Sequence, residues 1–438
     1  MAISRRTLLK SGLAIGAIGA TGLGYNELNK INTNAKIVIV GGGAAGIGIS
    51  NMLLHHLDGA NITVIEPRNF HWYQPGQTLL LAGSYQSPDN VISPINKYLS
   101  NEVNWKQDSV AEFFPDTNKI KTEGGESISY DFLIVSTGIE LRYDLIEGMD
   151  TNLIGRNGVS SIYYSPEAGI ASYQQAHDFI KKPGKGNAIF TRPQGAMKCA
   201  GAPMKATNLV EFFASQSSKR EQFNFNYYTS ESKLFAVKSF DEKLQQIWQK
   251  RKITPNYSQT LSSINTDRKE ATFISANGSS KKVDWDFIHV VPPMTPPEVI
   301  RESSLANTDN FKGYLDVDKY TMQHKRYANI FGLGDCVGTP IGKTAASVKS
   351  QLPVVTDNIC ALLNNSELTA KWDGYTSCPM ILDVGHAMLW EFNYSLQATT
   401  ALPFQVVDPL KESKLAWHME ETFLRPVYDI MLNGYTPV

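Results

Sequence analysis

Cysteine is scarce in this chain: four residues in 438, at positions 199, 336, 360 and 378. They are too few and too scattered for a disulfide scaffold, and none pairs in the C-x-x-C spacing of a zinc site, so no metal is expected. Basic runs are absent as well. The formal net charge is −1, with acids and bases interspersed, which excludes a nucleic-acid surface. There is no heptad series, solenoid-length repeat or low-complexity block. No apolar run reaches the ~20 residues of a spanning helix. What remains is an ordinary folded composition, 42% hydrophobic and 19% charged, long enough for two or three domains.

The N-terminus departs from that average. "SRRTLLK" (Ser4–Lys10) sets two arginines before apolar residues, and "SGLAIGAIGATGLGYN" follows over Ser11–Asn26. This reads as a twin-arginine export signal or tether over residues 1–34; a disordered or amphipathic arm is the plain alternative. Export by that route delivers a protein already folded around its cofactor. The expected location is periplasmic, attached peripherally to the inner membrane.

"AKIVIVGGGAAGIGISNMLLHHL" joins a β-branched strand to a glycine turn and a helical pattern. Gly41, Gly43 and Gly46 fill G-x-G-x-x-G, which turns tightly, admits a pyrophosphate and lets helix and strand pack closely. Twenty residues on, Glu66 ends a second strand, where a carboxylate takes ribose hydroxyls. "YDFLIVSTGIE" then stops a strand at Thr137 and Gly138, and "YANIFGLGDCVG" runs a late strand into Gly334 and Asp335. That pair of segments marks a flavoprotein whose FAD domain is split by an insertion. FAD is the expected cofactor, with Ala45 of the first turn among its contacts.

The insertion should open with a second glycine loop, and does not. After the strand "GNAIFT" comes "RPQGAMKCAGAP", without G-x-G-x-x-G and with Cys199 in its place. The next strand, "FNFNYYTS", ends without an acid for ribose. Both grips on NAD are missing together, so the two electrons need another source. Cys199 and Cys378 are the candidates, Cys378 on an expected turn between Gly374 and Pro379. An inert buried thiol or a fixed disulfide is their alternative. Cys360 reads as a helical core residue, and Cys336 as packing beside Asp335.

"FHWYQPGQTLLLAG", "MKCAGAPMKA", "VPPMTPP", "GLGDC", "GKTAASVKSQ" and "DGYTSCP" together resemble sulfide:quinone oxidoreductases, in the branch that includes the mitochondrial enzyme. The resemblance runs from about Lys36 to Gly434; an export signal in place of an organellar transit segment departs from it. It implies a redox pair at Cys199 and Cys378, with Cys378 receiving sulfide and Cys199 facing the flavin. The product would be polysulfide or a transferable persulfide, and the electron acceptor a quinone. Pro75 and Lys343 join the implied flavin contacts, Lys343 near the pyrimidine end; a surface lysine beside the phosphates is its alternative. Lys198 either favours a thiolate on Cys199 or is simply exposed.

For the quinone, Pro293, Phe392 and Tyr394 are the expected contacts, against plain core packing. Met419, Phe423, Val427 and Met431 recur at helical spacing, either in a membrane interface or packed on the protein. Competing readings are a flavocytochrome c sulfide dehydrogenase flavoprotein, a type II NADH:quinone oxidoreductase and a non-enzymatic FAD- or sulfur-binding protein. The fold expected is α/β: an FAD domain over 35–158 and 306–358, and a degenerate Rossmann-like domain over 159–305. A C-terminal capping region spans 359–438. The sequence leaves the sulfur acceptor and oligomeric state open, a homo-oligomer included.

Overall fold

The computed structural model describes residues 30–400 and 407–436, so most of the expected export segment lies outside it. The fold begins slightly before residue 35, because Ile31–Asn32 pairs in parallel with Leu57–Asp58.

Lys36–Val40 is the central strand of the first sheet, exposed at its lysine and buried over the next four residues. Around it the order is Ile330–Gly332, Phe132–Val135, Lys36–Val40, Asn61–Ile65 and Asn104–Lys106, all parallel. Such continuous β-branched runs suit a sheet covered on both faces. The helix Ala44–His56 follows the first strand and packs on the long helix Ala345–Leu363, with Gly48 facing Leu352. The strand from residue 330 thus returns to a sheet begun near residue 36.

Between those two visits the chain builds a second parallel sheet. Its order is Val159–Ser160, Phe287–His289, Gly186–Arg192, Phe223–Thr229 and Ile253–Asn256. A three-stranded antiparallel sheet over 259–284 hangs beside it. In a nicotinamide-binding domain the ends of the middle strands grip ribose and phosphate. Here Arg192 and Glu231 meet there at 3.1 Å, and the Ser230 hydroxyl donates to the Pro193 carbonyl.

The C-terminal region covers the seam. Thr376–Asp383 and His386–Phe392 pair antiparallel, so Cys378 lies in a strand rather than on a turn. Gly374 and Pro379 suggest a turn, but the strand is at the edge of its sheet, where proline sacrifices no ladder bond. The chain then runs helically through Lys414–His418, a wide π turn at Met419–Phe423, and Leu424–Leu432. Pro426 is absorbed without a break, since a π turn loosens the ladder where proline cannot donate. The apolar stripes of this segment divide. Met431 and Leu432 join the first core, Met419 joins the second, and Phe423 stays 44% exposed.

Candidate active site

One cavity runs from the first glycine turn to the cysteines and on to the C-terminal helix. Its wall includes Gly41, Gly43, Thr137, Gly138, Gly334, Asp335, Cys199, Cys378, Leu424 and Val427. At its floor Gly41 has φ +100°, a conformation glycine adopts at little cost. A Cβ on Gly46 would lie 1.8 Å from the Gly41 carbonyl oxygen, so helix and turn meet with no room for a side chain. A Cβ on Gly43 or Gly138 would meet nothing within 4 Å. Those two open onto the cavity, as a phosphate cradle requires.

Glu66 is buried and takes the Gly42 amide at 2.7 Å and the Arg68 guanidinium at 2.8 and 2.9 Å. Burial works against its charge, but Arg68 and that amide hold its carboxyl below the ordinary range. Ala45 and Pro75 line the cavity, as does Arg68. Lys343 is buried rather than on the surface. Its ammonium donates to the carbonyls of Asp335 at 2.7 Å and Val337 at 2.9 Å and lies over the Tyr314 ring. Burial lowers its pKa to about 8 despite Asp335. Lys198 also faces the cavity, above Trp72, and burial brings it to about 8 as well.

The loop that replaces the second glycine motif ends in Cys199, just ahead of the helix Ala202–Gln216. Cys199 sits at φ +47°, a left-handed conformation costing a non-glycine residue about 1–2 kcal/mol. Three bonds hold it there. Its amide donates to the Lys343 carbonyl at 2.9 Å. Its carbonyl accepts from the Ala202 amide at 2.9 Å and the Tyr163 hydroxyl at 2.8 Å. Cys378 arrives from the C-terminal sheet with its sulfur against Gly201, two residues from Cys199. They lie 179 residues apart in sequence and meet in space. Hydrogen bonding from Cys378, with help from Lys205 and against burial, lowers the Cys199 thiol, while Cys378 is raised. The helix start beside Cys199 favours the same assignment.

Lys205, Glu420 and Tyr163 are site residues that motif reading missed. Lys205 stands within "MKCAGAPMKA", a lone cation in an apolar helical turn, and that isolation was the available signal. Glu420 carries no such mark. Cys336 packs beneath the site, its sulfur directed at the Val135 and Leu333 carbonyls. Cys360 is half-buried on the helix Ala345–Leu363. Pro293, Phe392 and Tyr394 are not among the cavity-lining residues. Pro293 accepts from the Arg142 amide. Phe392 packs on Phe235 and Phe240, and the Tyr394 hydroxyl donates to the Lys319 carbonyl at 2.9 Å. Aliphatic side chains on the cavity wall include Leu389, Leu424, Val427 and Met431.

The cradle fits a flavin dinucleotide. Gly43 and Gly138 leave it open, and Lys343 and Lys198 set cations along it. Among the described residues, the indole nitrogen of Trp72 and both amide atoms of Gln77 are buried without a partner on the same wall. Buried polar atoms left unpaired by protein point to a ligand that pairs them.

Comparison with known proteins agrees. Residues 35–170 match the pyridine nucleotide-disulphide oxidoreductase family. The mitochondrial sulfide:quinone oxidoreductase of Mus musculus is 35% identical, over 91% of this chain and 87% of its own. That of Dictyostelium discoideum is 37% identical, over 96% and 91%. The crystal structure of the Aquifex aeolicus sulfide:quinone oxidoreductase superposes with a TM-score of 0.77 at 19% identity, covering 92% of each chain. The cofactor is FAD, which the cradle suits. With Cys199 where a nicotinamide loop would stand, and this likeness along nearly its whole length, the chain belongs to the sulfide:quinone oxidoreductase family.

Proposed function

We propose that the chain oxidises sulfide at Cys199 and Cys378 and delivers the electrons through FAD to a quinone. The observation that carries this reading is the meeting of two distant cysteines at the end of the dinucleotide cavity. Hydrosulfide is a soft nucleophile, and a bridged cysteine pair is its natural electrophile. HS⁻ attacks the Cys378 sulfur, the S–S bond breaks, and Cys199 leaves as a thiolate; Cys378 then carries the persulfide. A nucleophilic acceptor removes the terminal sulfur and leaves two thiols. Closing the Cys199–Cys378 bond again releases two electrons and the thiol protons. FAD, held by the glycine cradle, would supply the two-electron chemistry that links this pair to the quinone.

Each role rests on a side chain in place. Cys199 is the better leaving group, because the helix start and Lys205 favour its thiolate. Gly201 makes room for the Cys378 sulfur, which would lie 2.3 Å from a Cβ there. Leu424, Val427 and Met431 offer the apolar slot a quinone ring needs. Peripheral membrane attachment forms part of the proposal: Phe423 and Leu415 are exposed on the segment that walls the slot. Among the described residues no helix is long and apolar enough to cross a membrane. Ser4–Asn26 would direct export, and Arg5→Lys with Arg6→Lys should then retain the protein in the cytoplasm in a fractionation assay.

Purified holoprotein mixed with sulfide and a soluble quinone should bleach the quinone. Loss of quinone only when NADH is supplied would overturn the assignment.

A further inference from the structure

Beside the cysteines lies an ion pair to which the chemistry above gives only a passing part. Lys205 is in the first turn of the helix Ala202–Gln216, its amide bonded to the Gly201 carbonyl. Its ammonium meets the Glu420 carboxylate at 3.4 Å, and the two side chains are only 4% and 5% exposed. Both line the same cavity as Cys199 and Cys378. Burying two charges is expensive, and an apolar pair of similar size would often be as stable. Glu420 also sits in the π turn Met419–Phe423, a local widening that recurs at functional positions.

We propose that Lys205 is the counter-cation of the Cys199 thiolate, kept buried and charged by Glu420 while the cysteines are bridged. The inference rests on the Cys199–Cys378 chemistry proposed above. With the bridge closed the cysteines are neutral, and Lys205 and Glu420 balance each other. Hydrosulfide brings in one negative charge, and opening the bridge leaves that charge on Cys199 while the persulfide forms on Cys378. Lys205 then lies between two anions, and its attraction to Cys199 stabilises the leaving thiolate. The groups facing Cys199 are Cys378, Lys205, Glu420, Lys198 and Tyr163. Facing Lys205 are Glu420 and both cysteines, which together keep it charged against burial. Tyr73 faces Glu420 from the flavin side. Lys205 is thus a positioning residue, acting on sulfide through Cys199.

The test is the pH profile of Cys199 alkylation by iodoacetamide, read by mass spectrometry on FAD-loaded protein carrying Cys378→Ser. An opposite charge at contact range moves a pKa by about 1–3 units. Lys205→Met should therefore raise the alkylation midpoint by about one pH unit or more, and Lys205→Arg should leave it near the parent value. Glu420→Gln, which removes the competing anion, should lower it. A Lys205→Met midpoint within about 0.3 unit of the parent would overturn the proposal. So would an upward shift in Glu420→Gln, which marks a merely structural pair. Should Lys205→Met lose FAD, Glu420→Gln decides alone. Failure of the sulfide chemistry itself shows separately, as absent flavin bleaching by sulfide in FAD-loaded protein that keeps both cysteines.

Discussion

Gly201→Ala isolates the geometry of the cysteine pair from everything around it. Gly201 has φ −81° and ψ −19°, so alanine fits its backbone without strain. The added Cβ would lie 2.3 Å from the Cys378 sulfur and 3.4 Å from the Met380 methyl. Ordinary contact between such atoms is about 3.5 Å or more, so the sulfur must retreat by roughly 1 Å. A disulfide tolerates no such displacement, since its sulfurs bond at about 2.05 Å. Misplacing a reacting group by about 1 Å costs on the order of 10²-fold in rate. Gly201→Ala should therefore slow sulfide-dependent flavin reduction about 100-fold. FAD content should be unchanged, because the glycine cradle is untouched, and stability should fall by about 1–3 kcal/mol from overpacking. Stopped-flow absorbance at the flavin band reads the rate, and the ratio of flavin to protein absorbance reads the content. A variant with full FAD and a rate within twofold of the parent would refute the reasoning.

Other perturbations probe other links. Gly43→Ala meets no protein atom within 4 Å, so the apoprotein should melt normally yet bind FAD poorly. Gly46→Ala, 1.8 Å from a backbone oxygen, should destabilise the apoprotein itself, and equal melting temperatures for the two would contradict this reading. Tyr163→Phe removes one of two bonds to the Cys199 carbonyl, costing about 1 kcal/mol; flavin reduction by sulfide should slow several-fold with FAD retained. His71 and His289 are both lowered to about 3 by burial. Unfolded histidine binds its proton near pH 6.5, so the unfolded state holds more protons between about pH 6.5 and 3. Stability should fall as pH drops through that window and be unaffected above it. His71→Gln with His289→Gln should flatten the thermal midpoint against pH, and an unchanged slope would count against the assignment. Phe423→Ser should weaken sedimentation with phosphatidylcholine vesicles; equal sedimentation removes this residue from any membrane surface.

How much of this was legible in the sequence follows from how far apart the cooperating residues lie. Gly41, Gly43, Gly46 and Glu66 belong to one local strand–turn–helix unit, and spacing alone identifies their job. Thr137 and Asp335 come from strands that return to the same sheet, yet each ends its strand in a recognisable way. The thiol at 199 stood out because a phosphate loop belonged there. Its meeting with Cys378 is a contact 179 residues apart that family likeness implied and spacing could not. The same distance hid Lys205 and Glu420, whose pairing depends on how the C-terminal helix closes over the second domain. Phe392 and Tyr394 do not line the cavity. Aromatic residues bury large areas wherever they fall, and these two bury theirs against Phe235, Phe240 and Trp372. The C-terminal helix adds Leu424, Val427 and Met431 to the cavity wall, and its stripes read equally well as core or membrane face.

The central claim is that sulfide reaches the flavin only through Cys199 and Cys378. Anaerobic mixing of sulfide with FAD-replete parent, Cys199→Ser and Cys378→Ser proteins, followed at the flavin band, addresses it directly. The parent should bleach fully and neither variant should bleach on the same timescale. Bleaching of either FAD-replete variant at the parent rate would place the chemistry elsewhere.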